Sequence, residues 1–232
     1  MTGRCWSRFG VTNPQNERAL PWDTLTLPRL LKAAGYDTCL TGKWHLGSLP
    51  EQGPNHFGFD HSYGSLAGGV SPYSHKYKQG KFSDTWHRNE KLITEEGHVT
   101  DLITREAVGW IESRGERPFL LYVPYTAVHL PVREPDEWVA RVPGAITGDV
   151  ARHYAASVMH LDDGVGKILA ALERKGYIRK VFGRSRGVSL VGFAGAIGTM
   201  PVPLISLNPA TGAFETDDHV TLDRRLVAAT DA

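Results

Sequence analysis

Apolar residues recur at helical spacing in three parts of the chain. Leu27, Leu30, Leu31 and Ala34 share a helix face with Pro28 in the first turn, Gly35 as a stop, and Thr24 or Thr26 as cap. Leu102, Ile103, Ala107, Trp110 and Ile111 predict a second helix over 99–111, capped near Thr100 or Asp101. A longer one is predicted over 150–176, with Tyr154, Val158, Leu161, Val165, Ile168, Leu169 and Leu172 as its apolar stripe and Lys175-Gly176 as its end. Two stretches read as strands. Tyr36 to Thr41 follows the Gly35 stop, and Pro118 to Tyr125 is a continuous apolar and aromatic run, the mark of a strand buried on both faces. Residues 50–69 mix Gly and Pro with aromatics and predict irregular loops around short strands, and 135–142 predicts a short surface helix or turn. These elements describe an α/β protein.

The chain has 232 residues, enough for one domain with a sizeable core or for part of a larger one. Its formal net charge of +1 gives no reason to invoke nucleic acid or an anionic membrane as partner. No segment is long and apolar enough to span a bilayer, and the first residues lack the apolar core of a secretory signal, so the chain as written is expected to stay in the cytoplasm. Cys5 and Cys39 can form one bridge at most and do not have zinc-site spacing.

Chemistry gathers where the first strand ends. In Thr41-Gly42-Lys43-Trp44-His45-Leu46-Gly47, Lys43 and His45 leave the same face if the chain stays extended, while Trp44 turns into packing. Taken alone, a Lys-x-His is a solvated pair at a strand end. The whole run, however, resembles the second signature of the sulfatase family, and further matches surround it. His56-Phe57-Gly58-Phe59-Asp60 with Tyr63-Gly64 resembles the family segment that follows. Pro72-Tyr73-Ser74-His75 falls where the family supplies a polar group to its sulfate pocket, and Thr126-Ala127-Val128-His129-Leu130-Pro131 resembles the segment whose histidine stands at the mouth of the site.

This resemblance implies a partial alkaline-phosphatase-like sandwich, with a mixed, mostly parallel sheet flanked by helices, and hydrolysis of sulfate esters. It covers residues 1–176 as a catalytic-domain fragment and leaves 177–232 as a divergent tail, which suggests a frameshift or an altered gene boundary. By resemblance, Lys43 contacts sulfate, His45 assists its expulsion, Ser74 donates to it, and His129 acts on the leaving group. The substrate implied is a sulfated small molecule or a sulfated polysaccharide, and sulfatases of this kind are commonly exported.

The family's cofactors are calcium and a formylglycine made from cysteine in Cys-x-Pro-Ser-Arg. Cys5-Trp6-Ser7-Arg8 lacks the proline and lies on the wrong side of Thr2-Gly3-Arg4, and no Asp-Asn-Gly strand follows Gly176. No metal ligand is assigned. Asp162-Asp163 diverges in direction along a helix, Asp217-Asp218-His219 reads as a solvated tail, and His153 and His160 read as surface or packing residues. The expectation is a hydrolase by descent, impaired as given, with an unpaired sheet edge. Two readings compete with it: a non-catalytic module holding sulfated or phosphorylated ligands, and a related phosphatase or phosphodiesterase.

Overall fold

A computed structural model describes residues 1–13, 16–180, 188–191, 199–207 and 214–223, the last two stretches as backbone strands. Its contacts divide the chain into two compact units, 1–175 and 176–232.

In the first unit, Thr26 rather than Thr24 caps helix α1 (Leu27–Ala33). Its hydroxyl accepts from the Arg29 backbone N–H and donates to the Phe57 carbonyl at 2.6 Å. At Gly35 the backbone takes a φ of 87° and turns into strand β1 (Asp37–Lys43), which runs two residues past the predicted Thr41. Strand β1 pairs in parallel with β2 (His61–Ser65) on one side. Beyond β2, β3 (Trp86–Arg88) and β4 (Lys91–Leu92) add antiparallel, and β5 (Phe119–Tyr122) lies parallel to β1 on its other side. The order is β4-β3-β2-β1-β5, so the parallel part is β2-β1-β5.

Alternation along β1 builds a core on each face. Leu40 packs with Leu20, Trp44, Phe57, Phe59 and Leu66. Thr41 turns the other way and donates to the Ile103 carbonyl of helix α2 (Val99–Glu112). Beside it in the register, Tyr63 joins Val70, Trp86, Val99, Leu102 and Ile103. Helix α2 is capped by neither Thr100 nor Asp101: the His98 ring accepts from the Thr100 N–H.

Two expectations from the apolar pattern fail. Strand β5 is the last of its sheet, its residues only half-buried and Tyr122 43 % exposed, because no described strand pairs beyond it. A continuous apolar run marks a strand for double coverage without supplying the cover. Short helix α3 (Asp136–Ala140) precedes helix α4 (Asp149–Arg174), which turns its small residues inward. Ala156, Ser157, His160, Gly164, Ile168 and Ala171 are buried, while Tyr154, Val158 and Val165 of the predicted stripe are exposed. Close approach to α2 selects small side chains on the contact face: a Cβ on Gly164 would sit 2.6 Å from Thr104 Oγ1.

In the second unit, β6 (Ile178–Lys180) pairs antiparallel with β7 (Val188–Leu190), and β8 (Thr199–Leu207) with β9 (Phe214–Asp223). Among the described residues no helix is long and apolar enough to cross a membrane.

Candidate active site

Parallel pairing points the carboxyl ends of β1, β2 and β5 to one edge of the sheet, the place where open α/β sheets gather ligands. The three backbones are crowded there. The Lys43 N–H donates to the Pro124 carbonyl at 2.7 Å, and a Cβ on Gly42, whose φ is 136°, would lie 2.1 Å from that same oxygen. Only glycine lets β1 and the segment after β5 close on each other at this point.

Beyond the crowded ends the chain opens into a cavity of about 680 Å³, with His45, Gly68, Gly69, Ser71 and His129 among its lining residues. The expected strand-like alternation from Lys43 to His45 does not hold. His45 adopts a φ of 57° and donates its N–H to the Leu66 carbonyl, so the backbone has left the extended region. Its ring lies over Gly68, where a Cβ would come 2.3 Å from Cε1, and the His129 ring lies over Gly69, with 2.7 Å to Nδ1. This Gly-Gly pair forms a wall of the candidate cavity, where the residue pattern predicts only loop. Trp44 is buried with Phe57 and Phe59, as its place in the alternation requires.

Lys43 is half-buried at the end of β1 and does not line the cavity itself. Burial lowers its pKa. Burial also lowers the pKa of His45, and the Lys43 and His129 charges act in the same direction. His45 thus feels both other residues of the trio, the electrostatic mark of basic groups sharing one space. His129 is exposed, and its Nδ1 donates to the Leu130 carbonyl at 2.6 Å, which leaves Nε2 as the free nitrogen.

Ser74 is not among the lining residues. It is exposed on a neighbouring cavity with His75 and Thr85, and Ser71 is the serine in the His45–His129 cavity. His75 is a packing residue, stacked on Trp86 and bonded through Nε2 to the Gly97 carbonyl. Lys76 and Lys78 are exposed and line the cavity, Lys76 being paired with Asp84 at 3.1 Å. Cys5 is exposed against Ser7, and Cys39 is buried in β1; both are free thiols. Asp163 pairs with Lys167 on α4, and the side chains of Asp217, Asp218 and His219 lie outside the described residues.

Calcium requires oxygen ligands, and among the described residues no carboxylate lines this cavity. Among the described residues one His/Cys/Asp/Glu group converges, His98, Glu134 and His160, with donor atoms within 4.8 Å of one another. That nitrogen-rich set does not suit calcium either. Its histidines are also fully used by hydrogen bonds: His98 Nδ1 accepts from Thr100, and both nitrogens of His160 face carboxylates.

Fold and cavity together define an α/β protein with a basic, histidine-lined cavity at the carboxyl edge of parallel strands. The sequence model of the family described as Sulfatase matches residues 1–182, six residues beyond the 176 at which the sequence resemblance ends, and the chain belongs to this family. It is similar to N-acetylgalactosamine-6-sulfatase of Mus musculus, 34 % identical over 78 % of this chain and 36 % of that protein. It is also similar to the uncharacterized sulfatase YdeN of Escherichia coli, 31 % identical over 76 % of this chain and 35 % of that one. The chain therefore spans about a third of the length of these relatives. Among solved structures, Ps i-CgsB in complex with k-i-k-neocarrahexaose aligns with a TM-score of 0.62 at 32 % identity, over 69 % of this chain and 38 % of that one. A chain solved with its substrate D-glucosamine-2-N,6-O-disulfate shares the fold, with a TM-score of 0.54 at 22 % identity over 75 % of this chain and 51 % of that one.

Proposed function

We propose that residues 1–176 carry the sulfate-holding and proton-handling part of a sulfuric ester hydrolase. The observation that supports this most directly is one cavity faced by His45 and His129, with Lys43 close enough to oppose charge on His45, in a chain of the sulfatase family. A relative named for an amino-sugar sulfate and a neighbour solved with a neocarrahexaose support a sulfated saccharide as ligand.

In a sulfate ester the sulfuryl oxygens carry negative charge throughout, and charge builds on the bridging oxygen as its bond to sulfur breaks. Lys43 offers a cation to the sulfuryl group. His129 is anchored through Nδ1, so Nε2 is the atom that, when protonated, delivers a proton to the departing alcohol oxygen. His45, with its lowered pKa, is neutral at pH 7 and fit to accept a proton as sulfate leaves. Because Ser71 lines the His45–His129 cavity and Ser74 a neighbouring one, Ser71 takes the donor role in this reading. Formylglycine and calcium belong to the family's chemistry, but Cys5 and the cavity residues do not fit them, and no step is routed through either.

The 232-residue chain is expected to bind a sulfated sugar with one-to-one stoichiometry and without turnover. Calorimetry measures the first, and release from 4-nitrophenyl sulfate tests the second. Lys43→Ala and His129→Ala should each weaken binding by about tenfold, the value of one charge-assisted hydrogen bond. Equal affinity in all three proteins would end the reading, and calcium-dependent turnover by the unaltered chain would restore a complete catalytic site. Binding without any turnover is also what the non-catalytic module predicts, so a longer chain that regains turnover is what separates the two.

A further inference from the structure

The segment that carries His129 is held at its far end by histidines from two helices. His98, at the start of α2, donates from Nε2 to the Arg133 carbonyl at 3.2 Å. His153 of α4 accepts the Glu134 backbone N–H through Nδ1 at 3.0 Å. His160, two helical turns further on, donates from Nδ1 to Glu134 Oε2 at 2.7 Å and from Nε2 to Asp101 Oδ1 at 3.0 Å. Both partners of His160 are carboxylates, which only accept, so the ring carries both protons and a positive charge.

We propose that His160 is a positioning residue for the candidate site, its imidazolium stapling Glu134, and with it the His129 segment, to helices α2 and α4.

The surroundings suit a buried cation. The side chains of His98 and Glu134 are 3 % exposed and that of His160 1 %. The His160 ring lies between Trp138, at 4.7 Å and 15°, and neutral His98, at 4.9 Å and 29°. The groups facing it are Asp101 and His98 from α2, Glu134 from the loop and His153 from α4. Lys167 acts on Asp101, and Tyr73 meets His98 edge-on. Burial opposes the charge on His160, but the Asp101 and Glu134 hydrogen bonds outweigh it and raise its pKa to about 9. The segment has no slack. Thr126, Ala127, His129, Pro131, Val132 and Glu134 close on His98 and Ser157 around a space of about 10 Å³, at the limit of one water. Losing the staple therefore frees a segment only five residues from His129.

The consequence for ligand binding rests on the functional reading above; the staple itself does not. In the full chain labelled with ¹⁵N at histidine, NMR should show both His160 nitrogens protonated at pH 7.5, converting near pH 9. His160→Gln and Glu134→Gln should raise amide hydrogen exchange over 126–134 by about tenfold or more, leave β1 protected, and weaken binding of N-acetylgalactosamine 6-sulfate. Arg152→Ala, which removes bonds to the Val139 and Ile146 carbonyls and touches none of the His160 hydrogen bonds, serves as a destabilised control and should leave that exchange unchanged. A singly protonated His160 at pH 7.5, unchanged loop exchange in His160→Gln, or the same loosening in Arg152→Ala would overturn the proposal. So would stoichiometric zinc binding lost in His160→Gln, which would put a metal where the proton is placed. If loop exchange responds as expected while the unaltered chain ignores N-acetylgalactosamine 6-sulfate, the staple stands and the functional reading falls.

Discussion

The two imidazoles of the candidate site rest on main chain rather than on side chains. Gly68 and Gly69 pass beneath His45 and His129 so closely that a methyl group at Gly68 would meet the His45 ring at 2.3 Å. Gly68→Ala is expected to swing His45 out of the cavity. Binding of a sulfated sugar should fall by about tenfold or more, while the unfolding midpoint in urea changes little, because a ring on a cavity wall relaxes more easily than a packed core. Unchanged calorimetric affinity would show that His45 does not contact the ligand. His45 and His129, which share the cavity, could be singled out from sequence because each stands in a short contiguous motif. Ser71, Gly68 and Gly69 could not, since nothing in their local residue types separates a cavity wall from a loop.

At the scale of elements, the decisive contact is α4 on α2. Gly164 sits opposite Thr104 and Tyr125, whose hydroxyls bond at 2.7 Å, and a Cβ would come within 2.6 and 2.8 Å of those two oxygens. Gly164→Ala should therefore cost about 1–3 kcal/mol of stability by overpacking, despite the better helix propensity of alanine. A denaturant titration checks this, and a stabilised variant would show that the helices can part at no cost. The helical period over 150–176 correctly announced α4, yet the apolar stripe did not name its buried face. Tyr154, Val158 and Val165 are exposed instead, because the spacing between two helices is set by the smallest side chains they can share. The same limit explains β5, where an apolar run marked the strand but not its position at the end of the sheet.

For the whole molecule, stability should peak near pH 6.5. His160 has a folded pKa raised to about 9, above the ordinary histidine value, so its contribution is full below about 6.5 and is lost as pH rises toward 9. His87 behaves oppositely. It is fully buried, bonded through Nδ1 to the Gly64 carbonyl, and burial lowers its pKa to about 4, so acid unfolds the chain as pH falls from about 6.5 toward 4. Thermal melts across pH 4–10 measure both limbs. His160→Gln should flatten the alkaline limb alone, and a limb that persists would assign it to another group. Sequence by itself determined helices α1, α2 and α4 with strands β1 and β5 in their order, the turn at Gly35, the periodicity of α1, and the family to which Thr41–Gly47 belongs. Those properties are local: each rests on residues within a turn or two of one another. Only the tertiary structure decided which faces are covered, that Ser71 rather than Ser74 lines the cavity, and that His98, Glu134 and His160 meet. The last three are separated by 36 and 26 residues along the chain, and a buried charge becomes favourable only when parallel strand pairing and helix packing bring its partners within hydrogen-bonding distance.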